Sequence, residues 1–292
     1  MKKQIIKSIC LALLACGMAQ TATAQGIVVN KKDGKKVYYK ASEVESVGVY
    51  GYGEGPHDGP QLYVEIGGKK WATKNLGATT IAGSYETCYG DYYAWGETEP
   101  RYMTITRTSA SEATFTWKNS FASGYNDSNS PTYTGTTLDA AHDAATAQMG
   151  EGWRTPTMED FQALAMACSG SSANNQPPIS LINPITEGGI YRLTAEQTYE
   201  PEYTGVAGVL FVDKDDIDNR VFFPFAYSVR GKMLYPITVT TVNYSAGYYW
   251  SSSLSTSDKE AYLLGLESTP NRVNPWWDFP RYYGCTVRPV SD

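Results

Sequence analysis

Nucleophilic, acid–base and metal chemistry need histidine, cysteine or clustered carboxylates, and this chain is poor in the first two. It has two histidines, His57 and His142, and five cysteines. His57 lies in a Gly/Pro-rich stretch, so a Ser–His–Asp or Cys–His arrangement would have to use His142, on an expected helix. A lone helical histidine is more commonly a surface or packing residue. Zinc takes three or four close ligands, and these histidines and cysteines form no ligand-spaced cluster. The run Asp213-Lys214-Asp215-Asp216-Ile217-Asp218-Asn219 offers oxygens to a hard cation such as calcium. It lacks the sixth-position Gly and twelfth-position Glu of an EF-hand loop, and a solvated acidic hairpin turn is the preferred reading. No Gly-rich phosphate loop precedes a helix. Paired carboxylates for glycoside hydrolysis remain open, because the chain holds 30 Asp and Glu. The expectation is a protein without catalytic residues, metal or cofactor.

One stretch is suited to binding instead. Ser268 to Tyr283 holds Trp276, Trp277, Phe279, Tyr282 and Tyr283 among Asn and Arg residues. Trp, Tyr and Arg anchor binding hot spots, because each combines large contact area with a polar handle. Three prolines and the lack of alternation make the segment read as a loop, and one ring of Trp276-Trp277 should face inward, the other solvent. The ligand-contacting residues are expected to be Asn271, Arg272, Asn274, Trp276, Trp277, Asp278, Arg281 and Tyr282. A formal charge of −6 and a pI near 5.1 exclude a nucleic-acid partner. A glycan or protein ligand at a cell surface is the expected partner.

The elements that position these residues follow a clear order. Lys2, Lys3 and Lys7 precede an apolar run, Ile5 to Ala15, that is too short to span a bilayer as a helix. Ala22-Thr23-Ala24 then gives a cleavage site before Gln25, so residues 1–24 read as a signal peptide. Leu13-Leu14-Ala15-Cys16 resembles a lipobox and offers a lipid anchor at Cys16 as the other possibility. No later stretch is apolar enough to be a membrane helix. Residues 25–49 read as a β-hairpin around Asp33-Gly34, and 50–60 as a Gly/Pro-rich linker. The main domain is expected over 61–292. It opens with a hairpin (Leu62, Val64 and Ile66 alternating, a Gly67-Gly68 turn, then Lys69 to Trp71). Residues 98–137 show neither period and read as loop with short strands at most.

Leu138, Ala141, Ala145 and Met149 fall on one helical face. A second helix begins at the capping box Thr157-Met158-Glu159-Asp160, with Phe161, Leu164, Ala165 and Cys168 as its apolar stripe. Strands are expected at 208–212, 220–223, 248–250, 261–264 and 286–288. Two helices set into a mostly antiparallel chain indicate an α+β fold. Cys88, Cys168 and Cys285 survive cleavage; either one disulfide forms and leaves a thiol over, or all three are buried and unpaired.

Several blocks together resemble the major paralogous domain family, FISUMP. They are Trp71 to Gly77, Tyr92-Tyr93-Ala94-Trp95-Gly96-Glu97, Asp143-Ala144-Ala145, Gly152-Trp153-Arg154-Thr155-Pro156-Thr157, Gly247 to Ser253, and Gly284-Cys285-Thr286-Val287-Arg288-Pro289-Val290. They occur in order over residues 61–292. The resemblance implies a bacterial surface protein with a C-type-lectin-like fold, distantly akin to formylglycine-generating enzymes. Those relatives use a close cysteine pair near the C-terminus, whereas Cys285 stands alone, so that activity is not expected. Phe223-Pro224-Phe225-Ala226 replaces a common Leu-Pro-Ala-Ala, and His142 stands where an acidic residue is common. Some lectin-like surface proteins of this type carry, in the place of 271–283, a segment rewritten by diversity-generating retroelements. A non-catalytic, exported recognition protein is the expected function. A carbohydrate hydrolase using paired carboxylates and a structural or adhesive component of a surface appendage are the alternatives.

The mature protein is expected to begin at Gln25, or at a lipidated Cys16. Intact mass of the exported protein distinguishes these, and a species in the envelope fraction that retains Met1 overturns both.

Overall fold

Short runs with alternating apolar positions give this chain mostly strand. The computed structural model describes residues 26–30, 36–40, 63–171, 177–181, 183–235 and 245–292. The expected signal peptide and Cys16, the Asp33-Gly34 turn, the 50–60 linker and His57 lie outside the described residues. The chain divides into two units, Met1–Gln61 and Leu62–Asp292. In the first, β1 (Gly26–Asn30) and β2 (Lys36–Lys40) pair antiparallel, Val28 opposite Tyr38.

The second unit is a mixed α+β structure of short strands in several small sheets with three helices. The helices are α1 (Tyr85–Cys88), α2 (Ala144–Met149) and α3 (Met158–Ser169). One sheet runs β3 (Tyr63–Ile66), β4 (Lys69–Ala72), β17 (Val290–Ser291), β7 (Trp153–Arg154). A second holds β11 (Arg220–Pro224), β10 (Gly208–Val212), β9 (Gly189–Leu193) and β8 (Ile179–Ser180), with only β8–β9 parallel. A third is β14 (Ala246–Leu254), β15 (Glu260–Ser268) and β16 (Asn271–Pro280). Two-stranded pairs are formed by β5 (Tyr102–Ser109) with β6 (Glu112–Trp117), and by β12 (Ser228–Arg230) with β13 (Met233–Tyr235).

Three expectations are corrected. Residues 102–117 are a hairpin, not a loop. Its inward positions Ile105, Phe115 and Trp117 do alternate, but threonines occupy the outward positions Thr104, Thr106, Thr114 and Thr116 and dilute the apolar signal. The helix expected from Leu138 starts only at Ala144. The Asp139 carboxylate captures the amides of Ala141 and His142 in a turn, both at 3.1 Å, and Asp143 then caps the helix. Residues 286–288 are not a strand; the strand forms at Val290–Ser291 instead, between β4 and β7.

The expected capping box is present. Thr157 Oγ1 accepts from the Asp160 amide (3.1 Å) and Asp160 Oδ2 from the Thr157 amide (2.8 Å). Behind it Phe161, Leu164, Ala165 and Cys168 are buried against Val209, Phe211, Phe223, Tyr249, Leu264 and Val273. Cys88, Cys168 and Cys285 are all buried and unpaired. Burial pushes the Cys88 thiol up to about 12 and the other two also upward, so none is a ready nucleophile at neutral pH. None of the described helices is long and apolar enough to cross a membrane.

Thr157→Ala is expected to cost about 1 kcal/mol of stability by removing the cap oxygen. A denaturant midpoint equal to the parent's would show that α3 does not depend on this cap.

Candidate functional site

The segment expected to be a loop is the edge strand β16, and its prolines explain how. Pro270 lies in the turn before the strand, and Pro280 ends it opposite Glu260. Between them the register steps from Leu263↔Trp277 to Gly265↔Asn274, so Pro275 and Trp276 bulge out together. A proline cannot donate to a ladder and is tolerated at an edge or in a bulge. The Asn274 carboxamide oxygen accepts the Trp276 amide at 2.9 Å, which replaces the bond lost there. At the turn Glu267 and Arg272 are direct cross-strand neighbours, an opposite-charge pair that favours this register.

The β14–β16 sheet has two differently used faces. One packs Tyr249, Leu264, Leu266 and Val273 toward α3. The other presents Tyr248, Trp250, Ala261, Leu263 and Phe279, with Trp95, Ala144 and Ala145 packed over part of it. On this second face Glu267 is buried, 3% exposed. Arg272 Nε donates to it at 2.6 Å and Tyr248 Oη at 3.2 Å. The Arg272 guanidinium lies 4.2 Å from the centre of the Trp277 ring. Beneath that ring is Gly265, where an added Cβ would stand 2.5 Å from Trp277 Cε3. Tyr248 meets Trp277 edge-on at 6.0 Å. Trp277 is therefore half-buried and clamped on three sides.

The rings continue along the sheet. Phe279 is 6.1 Å from Trp277 and 5.5 Å from Tyr283, and Tyr283 is 4.9 Å from Tyr282. Arg230, at the end of β12, stacks over Phe279, Tyr283 and Tyr235. It reaches them because the Val229 and Gly284 backbones exchange two hydrogen bonds, 2.7 and 2.9 Å, which set β12 beside the closing segment. The result is a connected band of aromatic rings and two guanidiniums centred on β16, in which Trp277, Tyr235, Tyr282 and Tyr283 are half-buried and Phe279 is buried. Burial raises the Tyr282 phenol above its ordinary value, so it stays a neutral donor and acceptor.

Of the eight residues expected to contact a ligand, Arg272, Trp277 and Tyr282 join this band. Trp276, 43% exposed, stands outside it on the bulge, so of the two rings Trp277 is the inward one. Asn274 is occupied by the bulge. Asp278 accepts from Ser255 Oγ at 2.8 Å, and Asn271 donates to the Pro178 carbonyl at 2.8 Å. Arg281 is buried, 6% exposed; it stacks on Trp95 at 4.8 Å and donates to the Asp258 carbonyl, so it anchors the fold. Arg230, Tyr235, Tyr248 and Glu267 complete the band and were not among the expected residues. A lone glutamate, Glu267, directly after the apolar run 261–266 and five residues before an arginine across a Ser-Thr-Pro turn, is the one sequence signal that pointed there.

Among the described residues no three His, Cys, Asp or Glu side chains are grouped to hold a metal ion. The 213–219 turn uses its own carboxylates, Asp213 on the Asp215 amide (2.9 Å) and Asp216 on the Asp218 amide (3.1 Å). His142 precedes α2 rather than lying on it, and its Nδ1 meets Asp139 at 2.7 Å. A pocket lined by Tyr93, Trp95, Thr155, Trp250 and Val287 encloses about 10 Å³, the size of one water.

Gly265→Ala should displace the Trp277 ring and cost about 1–3 kcal/mol as overpacking. Near-UV circular dichroism and thermal melting report it; an unaltered aromatic spectrum would mean that Gly265 does not seat the ring. No family model, no curated protein and no solved structure matches this chain.

Proposed function

We propose that this chain is an exported, non-catalytic recognition protein of a bacterial cell envelope. Its main unit has a C-type-lectin-like fold of the FISUMP kind, and it binds a glycan or protein ligand on the β16 face. The observation that carries the reading is the clamped Trp277. A ring fixed by Gly265, Arg272 and Tyr248 loses little conformational freedom when a ligand covers it, and such preorganisation raises affinity. The neighbouring rings extend the platform, and aromatic and arginine side chains dominate binding hot spots.

The assignments of the buried carboxylates favour binding over hydrolysis. Asp143 receives the Ala145, Thr146 and Thr155 amides and the Thr155 hydroxyl at 2.8–3.2 Å. Asp160 holds the α3 cap, Glu200 pairs with Arg220 at 2.8 Å, and Glu267 pairs with Arg272. Each is committed to the fold, whereas a glycosidase needs two carboxyls facing one another across a cleft.

A glycan array probed with labelled mature protein tests the reading, with Trp277→Ala, Arg272→Ala, Tyr282→Ala and Asn274→Ala alongside. Loss of a band residue should weaken retention of a bound glycan by about 2 kcal/mol, roughly thirtyfold. Tyr282→Ala should leave the melting temperature unchanged, and Asn274→Ala should leave retention unchanged. If every aromatic substitution melts the domain and none alters retention selectively, the band is packing alone and the proposal fails.

A further inference from the structure

Nine arginines lie among the described residues of the second unit, and their hydrogen bonds set one apart. Arg101, Arg154, Arg220 and Arg272 donate to carboxylates. Arg107, Arg192, Arg281 and Arg288 donate to hydroxyl, amide or carbonyl oxygens. Arg230 donates to no protein oxygen among the described residues, and its buried Nε is without a partner. Its neighbours are rings, with the guanidinium 3.3 Å from the centre of Tyr235, 4.4 Å from Phe279 and 4.5 Å from Tyr283.

Stacking satisfies the faces of a guanidinium but not its edge, where the N–H groups lie in plane. A partly buried cation whose donors meet no oxygen among the described residues calls for an oxyanion, and a carboxylate matches the fork geometry. We infer that Arg230 is the acid-recognition point of the β16 band, and that it takes the carboxylate of an acidic sugar. This rests on the recognition reading above and names the class of ligand. Two observations favour a sugar over a polyanion. The flanking surface is aromatic, built of Tyr235, Tyr282, Tyr283 and Trp277, and suits the C–H faces of a pyranose. The second guanidinium of the band, Arg272, is already neutralised by Glu267, so the surface asks for one negative charge on an otherwise neutral body. The net charge of −6 opposes a partner carrying many.

The test titrates ¹⁵N-labelled mature protein with methyl β-glucuronide, a methyl glycoside of N-acetylneuraminic acid, the methyl ester of the glucuronide, neutral methyl β-glucoside and poly-glutamate. Either acidic sugar should shift the Arg230 Nε–Hε resonance, and the ester and glucoside should bind at least tenfold more weakly. Arg230→Lys should weaken acid binding about tenfold and Arg230→Gln more, since a charge-assisted hydrogen bond is lost. If Arg230→Gln does not fold, the Nε–Hε shift in the parent protein and the Arg230→Lys affinity decide. Equal binding of the neutral glucoside with loss on Tyr282→Ala would overturn the acid point and leave recognition standing. Binding of poly-glutamate alone would overturn the sugar. If no sugar binds here or on the array, the acidic-sugar inference falls, and recognition stands only if a protein ligand is lost on Tyr282→Ala.

Discussion

A guanidinium with no access to water holds the main unit together. Arg288 is 1% exposed, and it spends its donors on two distant stretches of chain, 72–75 and Phe222. Its Nε and Nη2 reach Asn75 Oδ1 at 2.9 and 2.6 Å, Nη1 reaches the Ala72 carbonyl at 2.9 Å, and Nη2 reaches the Phe222 carbonyl at 2.8 Å. Burial lowers its pKa to about 10, still high enough for the charge to persist at neutral pH. The acceptors are an amide and two carbonyls, so the cation is solvated by oriented dipoles in place of water. A lysine could not do this, because its three donors on one nitrogen cannot span the same fork. Asn75 passes the order on, donating to the Tyr89 carbonyl at 3.0 Å.

From that anchor the closing segment threads the whole unit. Val229 pairs with Gly284, Tyr93 with Cys285 and Tyr249 with Thr286, before β17 enters its sheet. A second lock is reciprocal: Trp95 Nε1 donates to the Ser251 carbonyl at 2.8 Å, and Trp250 Nε1 to the Tyr93 carbonyl at 2.7 Å. Each indole is buried and each carbonyl belongs to the other's strand, so neither donor is left unsatisfied. Arg101, fully buried, adds a bidentate pair with Glu97 at 2.8 and 2.7 Å and stacks on Phe121 and Tyr125. Trp71 to Gly77, Tyr92 to Glu97, Gly247 to Ser253 and Gly284 to Val290 are thus the residues of this frame, and they satisfy one another's buried polar groups.

What the sequence disclosed follows from how local each signal is. The capping box and stripe of α3 lie within twelve residues, and both are present as read. The hairpin at 63–72 and the β10–β11 pair around the acidic turn are similarly local. Errors arose where a local rule was overruled by partners far away. Three prolines argue against a strand until β15 supplies a register in which each falls at a turn, a bulge or an end. Asp139 and Asp143 shorten α2, because short carboxylates outcompete the helix for nearby amides. Arg230 gave no signal at all: its role depends on the Val229–Gly284 bridge, which spans the sequence between two blocks read separately.

The band on β16 rests on how the strand shares out its side chains. Along the strand Val273, Pro275 and Phe279 are buried, while Arg272, Asn274, Trp276, Trp277 and Asp278 retain exposure. Of the exposed set, Arg272 pairs with Glu267, Asn274 holds the bulge amide and Asp278 accepts from Ser255, so the frame depends on them too. The bulge matters here. It advances the register by one residue, so Trp277 and Phe279 come onto the same face as Arg272, and Trp276 is thrown out to solvent. Without that extra residue the two tryptophans would exchange faces, and the clamp formed by Gly265, Arg272 and Tyr248 would meet the wrong ring. The proline at the bulge thus fixes which of the two tryptophans shares a face with Arg272, and it does so through backbone geometry that Asn274 completes.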